Sequence, residues 1–156
     1  MPQQDYFNPI SEVPSEESLE NKFAEERLEW GKKIAEMSNQ MKNVLNVSEL
    51  MTTVYTERQI CLEYYHYLVS ILIKISKKYR LSYSDRYEYW SWKSQIKYPT
   101  AAALNYKIET ELADILEKRQ LIENHSKFVE KTTTTIDNLI YAIPKRIEIE
   151  QIARGK

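Results

Sequence analysis

Between Lys74 and Tyr98 the chain reads KISKKYRLSYSDRYEYWSWKSQIKY. Seven bases (Lys74, Lys77, Lys78, Arg80, Arg86, Lys93, Lys97) stand against two acids (Asp85, Glu88). Seven aromatic residues (Tyr79, Tyr83, Tyr87, Tyr89, Trp90, Trp92, Tyr98) are interleaved with them. Cations track phosphates, and flat rings stack on bases that a duplex would hide. Base stacking is worth about 1–3 kcal/mol per base and tolerates any sequence. The pattern therefore points to single-stranded nucleic acid, with Lys77, Lys78, Arg80, Arg86, Lys93 and Lys97 as phosphate contacts and Tyr83, Tyr87, Tyr89, Trp90 and Trp92 as stacking platforms. A plainer reading is also open. Lysines suit the negative end of a helix, and tyrosine and tryptophan serve cores and interfaces.

Other chemistry lacks its residues. His66 and His125 stand far apart, and Cys61 is the only cysteine. No Cys/His group has metal-ligand spacing, and two glycines cannot build a phosphate-binding loop. Glu109, Glu111, Asp114 and Glu117 share their stretch with Lys107, Lys118 and Arg119 and read as a solvated face. No nucleophile or acid–base constellation stands out, so the expectation is a non-enzyme without cofactor or metal.

Charge is unevenly placed. Residues 1–31 carry eight acids and two bases, residues 32–99 eleven bases and six acids, and residues 100–156 nine of each. The overall net charge of −1 hides this basic middle third. A lone cysteine forms no intrachain disulfide, which fits a reducing cytoplasm. No run approaches the length of a membrane span, and the start lacks the pattern of a signal peptide.

Elements that would position the segment follow from periodicity. Between Lys32 and Tyr98 there is neither glycine nor proline, and hairpin pairs are missing. The expected fold class is all-α, one domain over 15–156 preceded by a flexible, proline-containing arm at 1–14. Expected helices span about 15–45, 48–81, 84–97, 100–143 and 145–153. Ser15, Ser48 and Thr100 are candidate caps. YEYWSW also suits a strand of period two, so 83–98 is open between a short helix begun by Ser84 or Asp85 and a strand. Ile108, Ile115, Ile122, Val129, Ile136 and Ile143 recur every seven residues, with Ile140 beside them. Such a repeat predicts coiled-coil-like packing, and its length predicts a seam between subunits of a homo-oligomer. The run Thr132–Thr135 is an expected weak point. Pro144 is expected to begin a new helix or kink the old one.

KKYRLSY (77–83), with Lys78, Arg80, Leu81 and Tyr83 in K-x-R-L-x-Y spacing, is followed by SDRYE (84–88). The chain closes on IDNLIYAIPKRIEIEQIARGK (136–156). Together these resemble the UvsY family of phage recombination mediators, over roughly residues 50–156. The resemblance implies an accessory protein that binds single-stranded DNA as a closed homo-oligomeric ring. Such a protein helps a RecA-like recombinase displace single-strand-binding protein, and Lys78 and Arg80 would contact the DNA. The competing expectation is a helical structural or scaffold protein, or an adaptor whose Trp/Tyr segment grips another protein.

Overall fold

A computed structural model describes residues 16–42 and 47–155. It contains four α-helices, α1 (Glu16–Gln40), α2 (Val47–Glu88), α3 (Ala101–Glu111) and α4 (Ala113–Arg154), with a π-helical turn at Tyr89–Lys93 after α2. No strand occurs among the described residues, which resolves the ambiguity at 83–98. The expected arm at 1–14 and the Ser15 cap lie outside the described residues.

The two long helices pack along each other and α1 lies against both, more on α4 than on α2. Ion pairs and hydrogen bonds fix the directions. Glu57 of α2 meets Lys33 of α1, and Tyr64 meets Glu26, so α1 and α2 run antiparallel. Arg58 meets Asp137 and Cys61 meets Val129, so α2 and α4 run antiparallel too. The core is a set of interlocking seven-residue patterns. Phe23, Trp30 and Met37 on α1, Val54, Cys61, Leu68 and Ile75 on α2, and Ile122, Val129, Ile136 and Ile143 on α4 are all buried in one cluster.

That cluster changes the meaning of the isoleucine line. Ile122, Val129, Ile136 and Ile143, expected between subunits, are filled from within the same chain. Ile115 and Ile140 are half-buried against the same core. Ile108 is fully buried but sits on α3, across a break from the others.

The break corrects the expected single helix over 100–143. Thr100 does cap α3, its hydroxyl accepting from the Ala103 N–H at 3.1 Å. At Leu112 the backbone departs from α geometry (φ −104°, ψ 12°), and its N–H is shared between the carbonyls of Ile108 and Glu109. Burying the Leu112 side chain favours this tightened turn.

Three further boundaries differ from expectation. α1 ends at Gln40 rather than near 45. α2 continues to Glu88, so Ser84 and Asp85 are helix interior and not a new start. α4 passes through Pro144 to Arg154 without ending. Proline costs a helix about 3 kcal/mol. Here Ile143 is buried and Ile147 half-buried on either side of it, facing Met41, Val47 and Leu50, so packing holds the helix together across the missing N–H. The threonine run is helical as well. Each hydroxyl of Thr132, Thr133, Thr134 and Thr135 donates to the carbonyl four residues earlier. This satisfies the hydroxyl inside the helix that its branched side chain disfavours.

Candidate nucleic-acid interface

All the candidate nucleic-acid-binding residues fall on the last four turns of α2, the π-helical turn and the segment up to Lys97. They divide into a free set and a committed set.

The free set lies on α2. No acid occurs between Glu63 and Asp85. Within that window Lys74, Lys77, Lys78 and Arg80 are exposed and make no hydrogen bond or ion pair with any described residue. At 100° per residue, Arg80, Lys77, Lys74 and Lys78 follow one another around the solvent half of the helix. Leu81 is exposed beside them. Beyond the end of the stripe Trp92 projects with 80 % of its surface in solvent, and the rings of Tyr87 and Tyr89 are also exposed. From Lys74 to Trp92 is about 25 Å along the helix axis.

In the committed set Tyr83, Arg86 and Trp90 dock α3, while Lys93 and Lys97 are paired locally. Tyr83 donates to the Asn105 side chain at 2.7 Å. Trp90 packs edge-on against Tyr89 and Tyr98, lies under the Lys107 ammonium at 5.3 Å, and donates to the Glu111 carboxylate at 3.3 Å. Arg86 approaches the same carboxylate at 3.5 Å. Burial alone would raise the Glu111 pKa, but the Lys107 and Trp90 hydrogen bonds outweigh it and hold the carboxyl below its ordinary value. Lys93 pairs with Glu88 at 2.8 Å, which raises the Lys93 pKa and lowers that of Glu88. Lys97 donates to the Ser91 carbonyl at 2.8 Å.

The π-helical turn leads from α2 into the crossing to α3. It ends where Ser94 turns extended (ψ 142°) while its N–H still reaches the Tyr89 carbonyl at 2.8 Å. The Ser94 hydroxyl accepts from the Ile96 N–H and starts the crossing to α3. Two positions apart, Trp90 and Trp92 project to opposite sides of this turn, Trp90 toward α3 and Trp92 into water.

Sequence reasoning missed Asn105, Lys107 and Glu111 as partners of the aromatic segment. Only the i,i+4 spacing of Lys107 and Glu111, which pair at 3.2 Å, was a signal. Elsewhere, no group of three or more His, Cys, Asp or Glu among the described residues could hold a metal. No helix among them is long and apolar enough to cross a membrane. Compared with known proteins, the chain matches no family model, no curated protein and no solved structure.

Proposed function

We propose that this chain binds single-stranded DNA through the outer face of α2 and the rings beyond it, and serves as a mediator that helps load a RecA-like recombinase onto DNA covered by single-strand-binding protein. The observation that carries the DNA-binding reading is the unpaired stripe of Lys74, Lys77, Lys78 and Arg80 leading to an exposed Trp92. Four cations without counter-charges in their helical window are ready to exchange counterions for phosphates. Trp92 offers a bare ring face at the end of that track. The mediator role rests on the K-x-R-L-x-Y and D-R-Y-E resemblance alone.

The test is anisotropy of labelled oligo-dT at two salt concentrations. Lys78→Ala with Arg80→Ala should weaken binding and flatten the slope of log affinity against log salt, since fewer counterions are released. Unchanged affinity at low salt would remove the DNA reading. A second reading, a scaffold or adaptor without nucleic acid, is favoured by one observation: Tyr55, Ile60 and Ile73 of α2 expose large apolar side chains.

A further inference from the structure

α1 covers one side of α2 only up to a definite point. The line of α2 that faces α1 recurs every seven residues, through Glu57, Tyr64, Ile71 and Lys78. Glu57 meets Lys33 and Tyr64 meets Glu26, so a step of two turns along α2 matches an equal step back along α1. Carried on, this register sets Leu19 beside Ile71, both of which belong to the core. It sets the start of α1, Glu16, level with Lys74. Lys78 is therefore the first position on the line that α1 does not reach. It is exposed, as are Lys74 and Leu81 on the same flank.

We infer that this face is occupied, in the protein without nucleic acid, by the chain's own acidic N-terminal segment, residues 1–15. Three observations carry this. The segment joins α1 at Glu16, level with the start of the cationic stripe, and α1 read backwards points along α2 toward Lys78 and Arg80. The charges are complementary: residues 1–20 hold five acids (Asp5, Glu12, Glu16, Glu17, Glu20) and no lysine or arginine, whereas α2 has four cations and no acid between Glu63 and Asp85. The reach is ample, since fifteen residues span up to about 50 Å and the stripe from Lys74 to Arg80 rises only about 9 Å. Asp5 and Glu12 thus stand in for phosphates on Lys74, Lys77 and Lys78. An exposed ion pair is weak, but a tethered partner acts at high effective concentration. The segment therefore competes with a strand without excluding it, and is displaced when phosphates outnumber its two carboxylates. The contact needs only charge and tether. Its role as a brake on binding rests on the DNA-binding reading above.

The test compares the full chain with a chain lacking residues 2–14 and with Asp5→Asn plus Glu12→Gln, which keeps the segment's length. The first readout uses no DNA. Lysines are acylated at low salt with an N-hydroxysuccinimide ester, and the rate at each is read by peptide mass spectrometry. Lys74, Lys77 and Lys78 should react roughly two- to tenfold more slowly in the full chain than in either variant, the effect of two exposed ion pairs. Lys145, exposed on α4, should react alike in all three. The second readout is oligo-dT anisotropy. Both variants should bind more tightly than the full chain by a similar factor at low salt, and the gain should vanish at high salt, where the carboxylates are screened. Equal rates at the three lysines in all chains overturn the proposal, even where oligo-dT binds tightly. Protection of the lysines in a chain that never binds oligo-dT keeps the contact and removes the DNA reading instead.

Discussion

The Nε2 of His125 lies 2.7 Å from the Glu26 carboxylate, 99 residues away in sequence. Tyr64 donates to the same oxygen at 2.6 Å, so one carboxylate ties together α1, α2 and α4. The imidazole is fully buried and stacks on Phe23 at 4.0 Å. Its Nδ1 has no partner among the described residues. An ionised Glu26 can only accept, so His125 presents Nε2–H to it.

This junction sets an acid limit on stability. Burial alone would raise the Glu26 pKa, but hydrogen bonds from His125 and Tyr64 outweigh it and hold the value below the ordinary 4.5. A carboxyl whose pKa is lowered by folding stabilises the fold above its unfolded value, and that contribution is lost as pH falls through the folded value. Glu26→Gln keeps an acceptor oxygen for Tyr64 and His125 but removes its charge, so it should lower stability at neutral pH by about 1 kcal/mol, the difference between charge-assisted and neutral hydrogen bonds. Urea titrations at pH 7 and pH 3 check this, and the gap between wild type and variant should narrow at the lower pH.

Gly31 stands in the interior of α1 with its surface exposed, and an added Cβ meets nothing within 4 Å. Gly31→Ala should therefore stabilise the chain by about 1 kcal/mol through helix propensity. A thermal melt that fails to rise would mean that α1 is not helical at this position in solution.

Pro144→Ala should also stabilise the chain. The helix regains an N–H donor and loses a clash, a gain of up to about 3 kcal/mol, against about 0.4–1 kcal/mol for a less restricted unfolded chain. The balance favours alanine, and a denaturant midpoint higher than wild type is expected.

Cys61 is expected to be inert. Burial pushes its thiol pKa up, against a hydrogen bond from Thr133 at 3.2 Å that pulls it down. Reaction with a thiol reagent at pH 8 should be slow and should accelerate only across the unfolding transition. Prompt labelling of the folded chain would place Cys61 outside the core.

The two tryptophans of the π-helical turn should behave oppositely. Trp90→Ala removes the ring that holds α3 and should lower stability at that end. Trp92→Ala removes an exposed ring and should leave melting unchanged while weakening oligo-dT binding by about 1–3 kcal/mol. Equal effects of both on stability would contradict the division between committed and free rings.

The helical class was legible because glycine, proline and hairpin pairs are scarce from Lys32 to Tyr98. The isoleucine line was legible as a seam, but not its occupant. The matching rows on α1 and α2 had to be set against it, and their contacts join residues as distant as Glu26 and His125. The break at Leu112 carries no glycine or proline, so nothing local announced it. Ser84 and Asp85 looked like a helix start because caps and exposed helix positions use the same residue types. The cations at 74–80 were legible as a cluster. Their freedom from partners, and the capture of Trp90 and Tyr83 by α3, depend on a helix docked from later in the chain.

The packing of α1 on α4 has a consequence for synthesis. On a ribosome α1 is made before α4, yet the ring that stacks on Phe23 belongs to His125. At about 5–20 residues per second, the 99 residues from Glu26 to His125 take roughly 5–20 s to appear. For that interval Phe23, Trp30 and Met37 form an apolar stripe on a nascent helix whose main partner has not been translated. Completion of the core is thereby deferred until α4 has emerged, and until then the α1 stripe is open to a chaperone.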